Sequence, residues 1–217
     1  MSGPLLQMQG VHTHIGAYHI LHGVDLTVPA GQLTLLLGRN GAGKTTTLRT
    51  LMGLWRASAG QVFYQGHDIT CMPTPDIARL GIAYVPENMG IFPDLSVSEN
   101  MLLAARGARR LDQLDPIRLE QIFQLFPAVK QFWKHPAGKL SGGQKQMVAV
   151  ARAMIEPHDV LIIDEPSKGL APAIIDNMIE AFDRLKNAGV TILLVEQNLQ
   201  FARRLRSEEH TSELQSH

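Results

Sequence analysis

The sequence predicts an α/β fold in three parts: a core of buried strands alternating with helices, an antiparallel β subdomain at the N-terminal side, and an α-helical subdomain inserted at roughly 95–157. Three observations carry this prediction. Apolar runs at 33–37, 160–163 and 191–195 have the length and composition of strands buried on both faces. Residues 5–11, 20–28 and 61–64 carry strand-type patterns bounded by Gly and Pro turns. Between 95 and 157 the apolar residues fall at helical spacing. A chain of 217 residues, 45% hydrophobic and 18% charged, has ample apolar material for one large domain with such an insert, read here as 1–205.

At the start of the chain, Val24, Leu26 and Val28 alternate with polar neighbours, as on a half-buried strand. His12, His14, His19 and His22 fall in the same region. His12 and His14 share a strand face, but no Cys or carboxylate completes a metal-ligand set, so they read as paired surface histidines. Pro29-Ala30-Gly31 turns the chain into the strand at 33–37. There follows Gly38-Arg39-Asn40-Gly41-Ala42-Gly43-Lys44-Thr45-Thr46, which fits the phosphate-loop pattern G-x-x-x-x-G-K-[ST] at every fixed position. The glycines let successive backbone N–H groups curl round phosphate oxygens. Lys44 offers an ammonium to the β- and γ-phosphates, and the Thr45 hydroxyl can sit on Mg²⁺. The helix that begins at about residue 46 points the positive end of its dipole at the same anion.

Residues 82–85 form a further buried-type strand stopped by Pro86, with a loop at 87–95 behind it. Ser96 followed by Glu99 is a capping box opening a helix with Met101, Leu102 and Ala105. A single helical pattern runs over 115–133, carried by Ile117, Ile122, Phe123, Leu125 and Phe126. In Leu140-Ser141-Gly142-Gly143-Gln144 a serine cap and two glycines open a helix over 144–155, a second helix end able to face an anion. The apolar run 160–163 leads directly into Asp164-Glu165-Pro166, so two acids stand at a strand's C-terminal edge, where ligands of open α/β sheets bind. Asp164 can hold Mg²⁺ through water. Glu165 is placed to orient or deprotonate an attacking water. The loop 167–172 leads to a helix over about 173–188, and the last strand, 191–195, ends in Glu196-Gln197-Asn198, whose polar groups reach the same edge.

Formal net charge is zero, so the basic footprint of a nucleic-acid binder is absent. The single cysteine, Cys71, leaves no internal disulfide and reads as an ordinary thiol of a reducing compartment. Met1-Ser2-Gly3-Pro4 shows no signal peptide, and the apolar runs are too short to span a bilayer, so service to a membrane would go through partners. Residues 206–217 resemble the translation of a short-read sequencing adapter; they are expected to be a non-native tail and are set aside from the fold.

Six motifs in this order resemble the nucleotide-binding subunit of ATP-binding-cassette (ABC) transporters over about residues 5–205: the phosphate loop, Pro86-Glu87, Leu140 to Gln144, Asp164-Glu165, Ser167 to Ala171, and Gln197. The resemblance implies a phosphate-loop NTPase core of the RecA-like kind and an ATPase coupled to transmembrane transport. Gly38, Arg39, Asn40, Gly41, Ala42, Gly43, Lys44, Thr45 and Thr46 would bind ATP; Thr45, Glu87 and Asp164 would serve Mg²⁺; Glu165 and Gln197 would be catalytic. Ser141, Gly142, Gly143 and Gln144 would contact ATP held by a second cassette subunit, identical or not. The other implied partners are transmembrane permease subunits and, indirectly, a solute-binding protein, with no nucleic acid; the implied place is peripheral, on the cytoplasmic face of the inner (plasma) membrane. Val85-Pro86-Glu87, the run Asp164 to Pro172, and Leu194-Val195-Glu196-Gln197-Asn198 look most like the ATPases of branched-chain amino-acid importers. Importers of urea or another small amide, and a weakly hydrolysing member of an asymmetric pair, are the alternatives. An ATPase acting on nucleic acid or ribosomes would be expected to show added basic segments or tandem cassettes, which the chain lacks.

The chain departs from that family at three places. Glu87 stands where most members have glutamine, and can still bind Mg²⁺ or position water. Gln197 stands where most have histidine, and can hydrogen-bond phosphate without carrying charge. The adenine-stacking aromatic is expected near Ile15; Tyr18, three residues later, or an aliphatic contact is the alternative. The family also continues past Leu205 with a strand and a helix that this chain is expected to lack.

Overall fold

A computed structural model describes residues 3–205 and the backbone of 211–213. β1 (Leu6–Ile15) and β2 (Tyr18–Val28) form a long antiparallel hairpin. It extends beyond the expected 5–11 and 20–28 because the histidine stretch continues both strands: His12 faces His22 and His14 faces His19 across the register. Polar residues on both strands hide that extension from a hydrophobicity pattern. The rings stack, with His14–His19 centroids 4.1 Å apart and His19–His22 3.9 Å apart. Among the described residues no cluster of three or more His, Cys, Asp or Glu is arranged to hold a metal ion.

β3 (Leu33–Leu37) is followed by the phosphate loop and α1 (Lys44–Leu51). β4 (Ala57–Tyr64) returns to pair with β1, and β5 (His67–Asp68) pairs with β4, which gives an antiparallel sheet of order β2-β1-β4-β5. α2 (Thr74–Arg79), β6 (Ile82–Val85) and α3 (Val97–Ala104) follow. The capping box of α3 is formed: Ser96 Oγ accepts the Glu99 N–H, and Glu99 Oε2 accepts the Ser96 N–H at 2.7 Å. α4 (Pro116–Leu125) and α5 (Pro127–Gln131) replace the single helix expected over 115–133. Pro127 causes the break. It has no N–H to continue α4, and its ring drives Phe126 out of the helical region, to φ −129° and ψ 76°. α6 (Gly142–Ala153) closes the helical insert.

β7 (Val160–Asp164), α7 (Pro172–Asn187), β8 (Thr191–Glu196) and α8 (Leu199–Leu205) complete the core. A further strand, β9 (Thr211–Glu213), lies parallel to β3, so the parallel sheet has the order β6-β7-β8-β3-β9. This corrects the expectation that no strand follows Leu205. An open strand edge offers only backbone donors and acceptors, and a segment of any sequence can add to it. The remainder of 206–217, read above as a non-native tail, lies outside the described residues.

The parallel sheet is buried on both faces, as its continuous apolar runs require. Leu36, Ile82, Val160, Ile162, Leu193 and Val195 pack with α1 and the inner face of the antiparallel sheet. Leu35, Val85, Leu161, Ile163, Ile192 and Leu194 pack with α6, α7 and the helical insert. Each fully buried Leu, Ile or Val stabilises the fold by about 1.5–3 kcal/mol in transfer free energy. The result is a rigid sheet whose parallel strands all deliver their C-terminal ends to one edge.

Candidate nucleotide site

That edge collects the loop after β3, Glu87 beyond β6, Asp164 and Glu165 at the end of β7, and Glu196 at the end of β8. The phosphate loop bends there at Gly41 and Gly43, with φ of +83° and +84°. A side chain at Gly43 would combine left-handed strain with a Cβ only 3.0 Å from Leu21 Cδ2. Gly43 is also the N-cap of α1, so the helix's free N–H groups open toward the loop.

A cleft of about 350 Å³ lies over the loop, lined by Asn40, Gly41, Gly43, Lys44, Thr45 and Thr46 on one side and by Glu87, Glu165, Lys168 and Ile20 around it. Lys44 is buried; its Nζ donates to the Arg39 carbonyl at 3.0 Å and lies 3.2 Å from Glu165 Oε1. Both side chains of that pair are about 5% exposed or less, so removing either partner leaves a buried charge alone, at a cost of about 3–5 kcal/mol. Glu165 holds a left-handed backbone at φ +47°, pinned by its N–H to the Val195 carbonyl at 2.9 Å. A non-glycine residue in that region stores strain of about 1–3 kcal/mol, and such strain gathers at functional sites.

Asp164 is fully buried. Burial pushes its carboxyl upward; the Thr45 hydroxyl, hydrogen-bonded to it, pulls down, and the charges of Glu165 and Glu87 add to the rise. The Tyr84 hydroxyl stands 3.5 Å from Asp164 Oδ2, and its own pKa is pushed up to about 12, first by burial and then by that carboxylate. Asp164 Oδ1 has no hydrogen-bond partner among the described residues. An orphaned carboxylate oxygen beside the Thr45 hydroxyl, with Glu87 at the rim, is a set of hard oxygen donors of the kind Mg²⁺ takes, one or two carboxylates being enough when phosphates and waters complete the shell.

Of the residues expected from sequence, Asn40, Gly41, Gly43, Lys44, Thr45, Thr46, Glu87 and Glu165 meet in the cleft, and Asp164 lies beneath it. Gly38 joins the loop to β8 through its N–H and the Glu196 carbonyl at 3.3 Å, while Ala42 closes the turn on the Arg39 carbonyl at 3.2 Å. Gln197 is exposed, and its side chain does not line the cleft. Tyr18 projects into solvent at 76% exposure, and Ile15 is half-buried; the apolar side chain that lines the cleft is Ile20.

Ser141 caps α6: its Oγ accepts the Gln144 N–H at 3.3 Å, and Gln144 Oε1 accepts the Ser141 N–H at 2.9 Å. Gly142 and Gly143 form the first turn of α6. Gly143 is a packing glycine, since a Cβ there would fall 2.1 Å from Ile174 Cγ2 on α7.

Two further residues belong to the site. Lys168 Nζ pairs with Glu87 and lies 3.8 Å from Glu165 Oε2. Glu196 is buried, and its carboxylate accepts the N–H groups of Ser167 at 2.9 Å, Gln197 at 3.1 Å and Asn198 at 3.2 Å, tying the loop after β7 to the end of β8.

Three comparisons bear on this geometry. The family profile described as ABC transporter matches residues 21–168. The high-affinity branched-chain amino acid transport ATP-binding protein BraG of Pseudomonas aeruginosa is 39% identical over 93% of this chain and 85% of its own length. The probable branched-chain amino acid transport ATP-binding protein LivF of Archaeoglobus fulgidus is 40% identical over 85% of this chain and 78% of its own. Among solved structures, a nucleotide-free ATP-binding cassette from an ABC transporter superposes with a TM-score of 0.80 at 26% identity, covering 97% of this chain and 87% of that one. No helix among the described residues is long and apolar enough to cross a membrane.

Proposed function

The chain belongs to the ABC transporter family as an ATP-binding cassette that hydrolyses ATP to drive transport, is related to branched-chain amino acid transport ATPases, and on that premise we propose that it energises uptake of branched-chain amino acids through transmembrane permease subunits. The relatives' names support the amino-acid substrate, and the observation that best supports the ATP chemistry is the buried Lys44–Glu165 pair at the mouth of the phosphate loop. A cation and a base locked together have one simple use at this position, which is to be parted by a phosphate.

In the proposed mechanism the terminal phosphates of ATP take the Lys44 ammonium from Arg39 and Glu165, while the N–H groups of the loop and of the head of α1 hold the phosphate oxygens. Glu165, released, orients water and accepts its proton as a bond forms from the water oxygen to the γ-phosphorus and the bond to the bridging oxygen breaks, leaving ADP and phosphate. Thr45 and Asp164, with Glu87 at the rim, would hold Mg²⁺, which neutralises charge on the transferring group. Glu196 keeps the loop after β7 in place through its contact with Ser167. Each cassette supplies donors on one side of the triphosphate, so a second cassette would present Ser141 and Gly143 to the other side, and closure of the pair would move the permease subunits. The proposed location is peripheral, on the cytoplasmic face of the membrane that holds those subunits.

The test is ATP hydrolysis by the full transporter reconstituted in vesicles with its solute-binding protein. Glu165→Gln should bind Mg-ATP and lose at least about 100-fold in turnover, the usual scale of a general base. Leucine, valine or isoleucine should stimulate hydrolysis and accumulate, and urea should not. Turnover unchanged in Glu165→Gln removes Glu165 from its role, and stimulation by urea alone moves the chain to the amide importers.

A further inference from the structure

We propose that Lys168 is a second cation for the terminal phosphate of the nucleotide, stored on Glu87 and delivered when ATP enters. The inference rests on the reading of this cleft as an ATP site and adds a residue to it.

The first ground is position. Lys168 lines the same cleft as Lys44 and Thr45, although it comes from the loop after β7 and not from the phosphate loop. Its Nζ pairs with Glu87 and stands 3.8 Å from Glu165 Oε2, while the other oxygen of Glu165 stands 3.2 Å from Lys44 Nζ. Two ammonium groups therefore flank one carboxylate, the one that is to act on water, and a γ-phosphate entering between Lys44 and that water site comes within reach of both.

The second ground is charge. Glu87, Asp164 and Glu165 bring three carboxylates to the edge that must receive a polyanion. Lys44 answers one of them, and Arg49 acts on Asp164 from outside the cleft lining. Lys168 supplies a further positive charge, and it is one that lines the cleft itself.

The third ground is energetic. The Lys168 and Glu87 side chains are 50% and 39% exposed, and ion pairs so open to water contribute little to folding. The pair therefore adds little to stability and is cheap to exchange: when Glu87 turns toward a metal-bound nucleotide, Lys168 loses a weak partner and gains phosphate oxygens. A lysine suits such a transfer because its point charge sits on a flexible stem.

ADP lacks the group that Lys168 is assigned, which gives the test its discrimination. Binding of the β,γ-imido analogue of Mg-ATP and of Mg-ADP is measured by titration calorimetry on the full chain as wild type, Lys168→Ala, Lys168→Arg, Glu87→Gln and Glu87→Gln/Lys168→Ala, with thermal unfolding as a control. Lys168→Ala should weaken the triphosphate at least tenfold and ADP less than twofold, with the unfolding midpoint unchanged. Lys168→Arg should recover most of the loss. Measured against Glu87→Gln alone, the double variant should still lose more for the triphosphate than for ADP, since any contribution of Glu87 to Mg²⁺ is absent from both. Equal losses for both nucleotides would make Lys168 a tether of its loop, and no loss for either would make it a solvated partner of Glu87; both results overturn the proposal. A wild-type protein that binds neither nucleotide would overturn the ATP-site reading itself, a separate outcome.

Discussion

Substituting Gly143 by alanine tests whether this glycine serves packing as well as the nucleotide. The added Cβ would stand 2.1 Å from Ile174 Cγ2 and 3.0 Å from both Ile174 Cβ and Cγ1. Carbon atoms in contact normally sit about 3.5–4.0 Å apart. Ile174 cannot relieve the Cγ2 overlap by turning, because a β-branched side chain in a helix keeps one rotamer. With that rotamer fixed, the 2.1 Å approach opens to an ordinary contact only if α6 and α7 separate locally by roughly 1.4 Å. Overpacking of this kind costs about 1–3 kcal/mol, and the better helix propensity of alanine returns at most about 1 kcal/mol. The net expectation for Gly143→Ala is a loss of about 1–2 kcal/mol, or roughly 2–8 °C in Tm for a chain of this size. Thermal or urea unfolding of the nucleotide-free protein measures it. Ile174→Ala in the same chain removes both Cγ atoms and should restore more than half of the loss. Wild-type stability in Gly143→Ala, or a double variant no better than the single, refutes the packing account. If the double variant folds well and still fails to pair with a second cassette on Mg-ATP, Gly143 has both roles.

Two further outcomes follow from titratable groups, one buried (Asp164) and one half-buried (His158). Asp164→Asn should raise the unfolding midpoint at pH 7 while abolishing the Mg²⁺ dependence of nucleotide binding: the folded carboxyl is raised above its unfolded value, so its charged form weighs against folding at neutral pH and acidification relieves that burden; a lower midpoint in Asp164→Asn contradicts this. His158 is held below its ordinary 6.5, first by burial and then by Arg118, so it stays neutral in the fold, and stability should fall as pH drops below about 6.5, by at most about 1.4 kcal/mol per pH unit. His158→Gln should flatten that part of the curve, and an unchanged slope would place the titration elsewhere.

The parts of the site written in adjacent residues were legible without coordinates. The phosphate loop and the Asp164–Glu165 pair each follow an apolar strand, so motif and context can be read together. The run from Thr191 to Val195 ends in an acid in the same way, so the rule that singles out Asp164 singles out Glu196 as well, whereas the neighbouring Gln197, expected to be catalytic, faces solvent. Pro127 likewise carried a visible signal for the break between α4 and α5. Other features had no local signature. Lys168 and Glu87 are 81 positions apart and meet only because β6 and β7 are neighbours in the sheet. The left-handed backbone of Glu165 is imposed by its hydrogen bond to β8 and not by residue type. From sequence Gly143 reads as a helix-opening glycine facing an anion, and the crowding against Ile174 appears only when α6 is packed on α7.

In the proposed mechanism the contact between Lys44 and Glu165 makes arrival and activation a single event. A phosphate that draws the Lys44 ammonium to itself weakens its hold on Glu165, so on that mechanism whatever seats the nucleotide also frees the carboxylate proposed to act on water. An anion too small to engage the whole loop would have to win that exchange unaided, and the molecule is thereby guarded against idle chemistry by the same bond that a true substrate breaks.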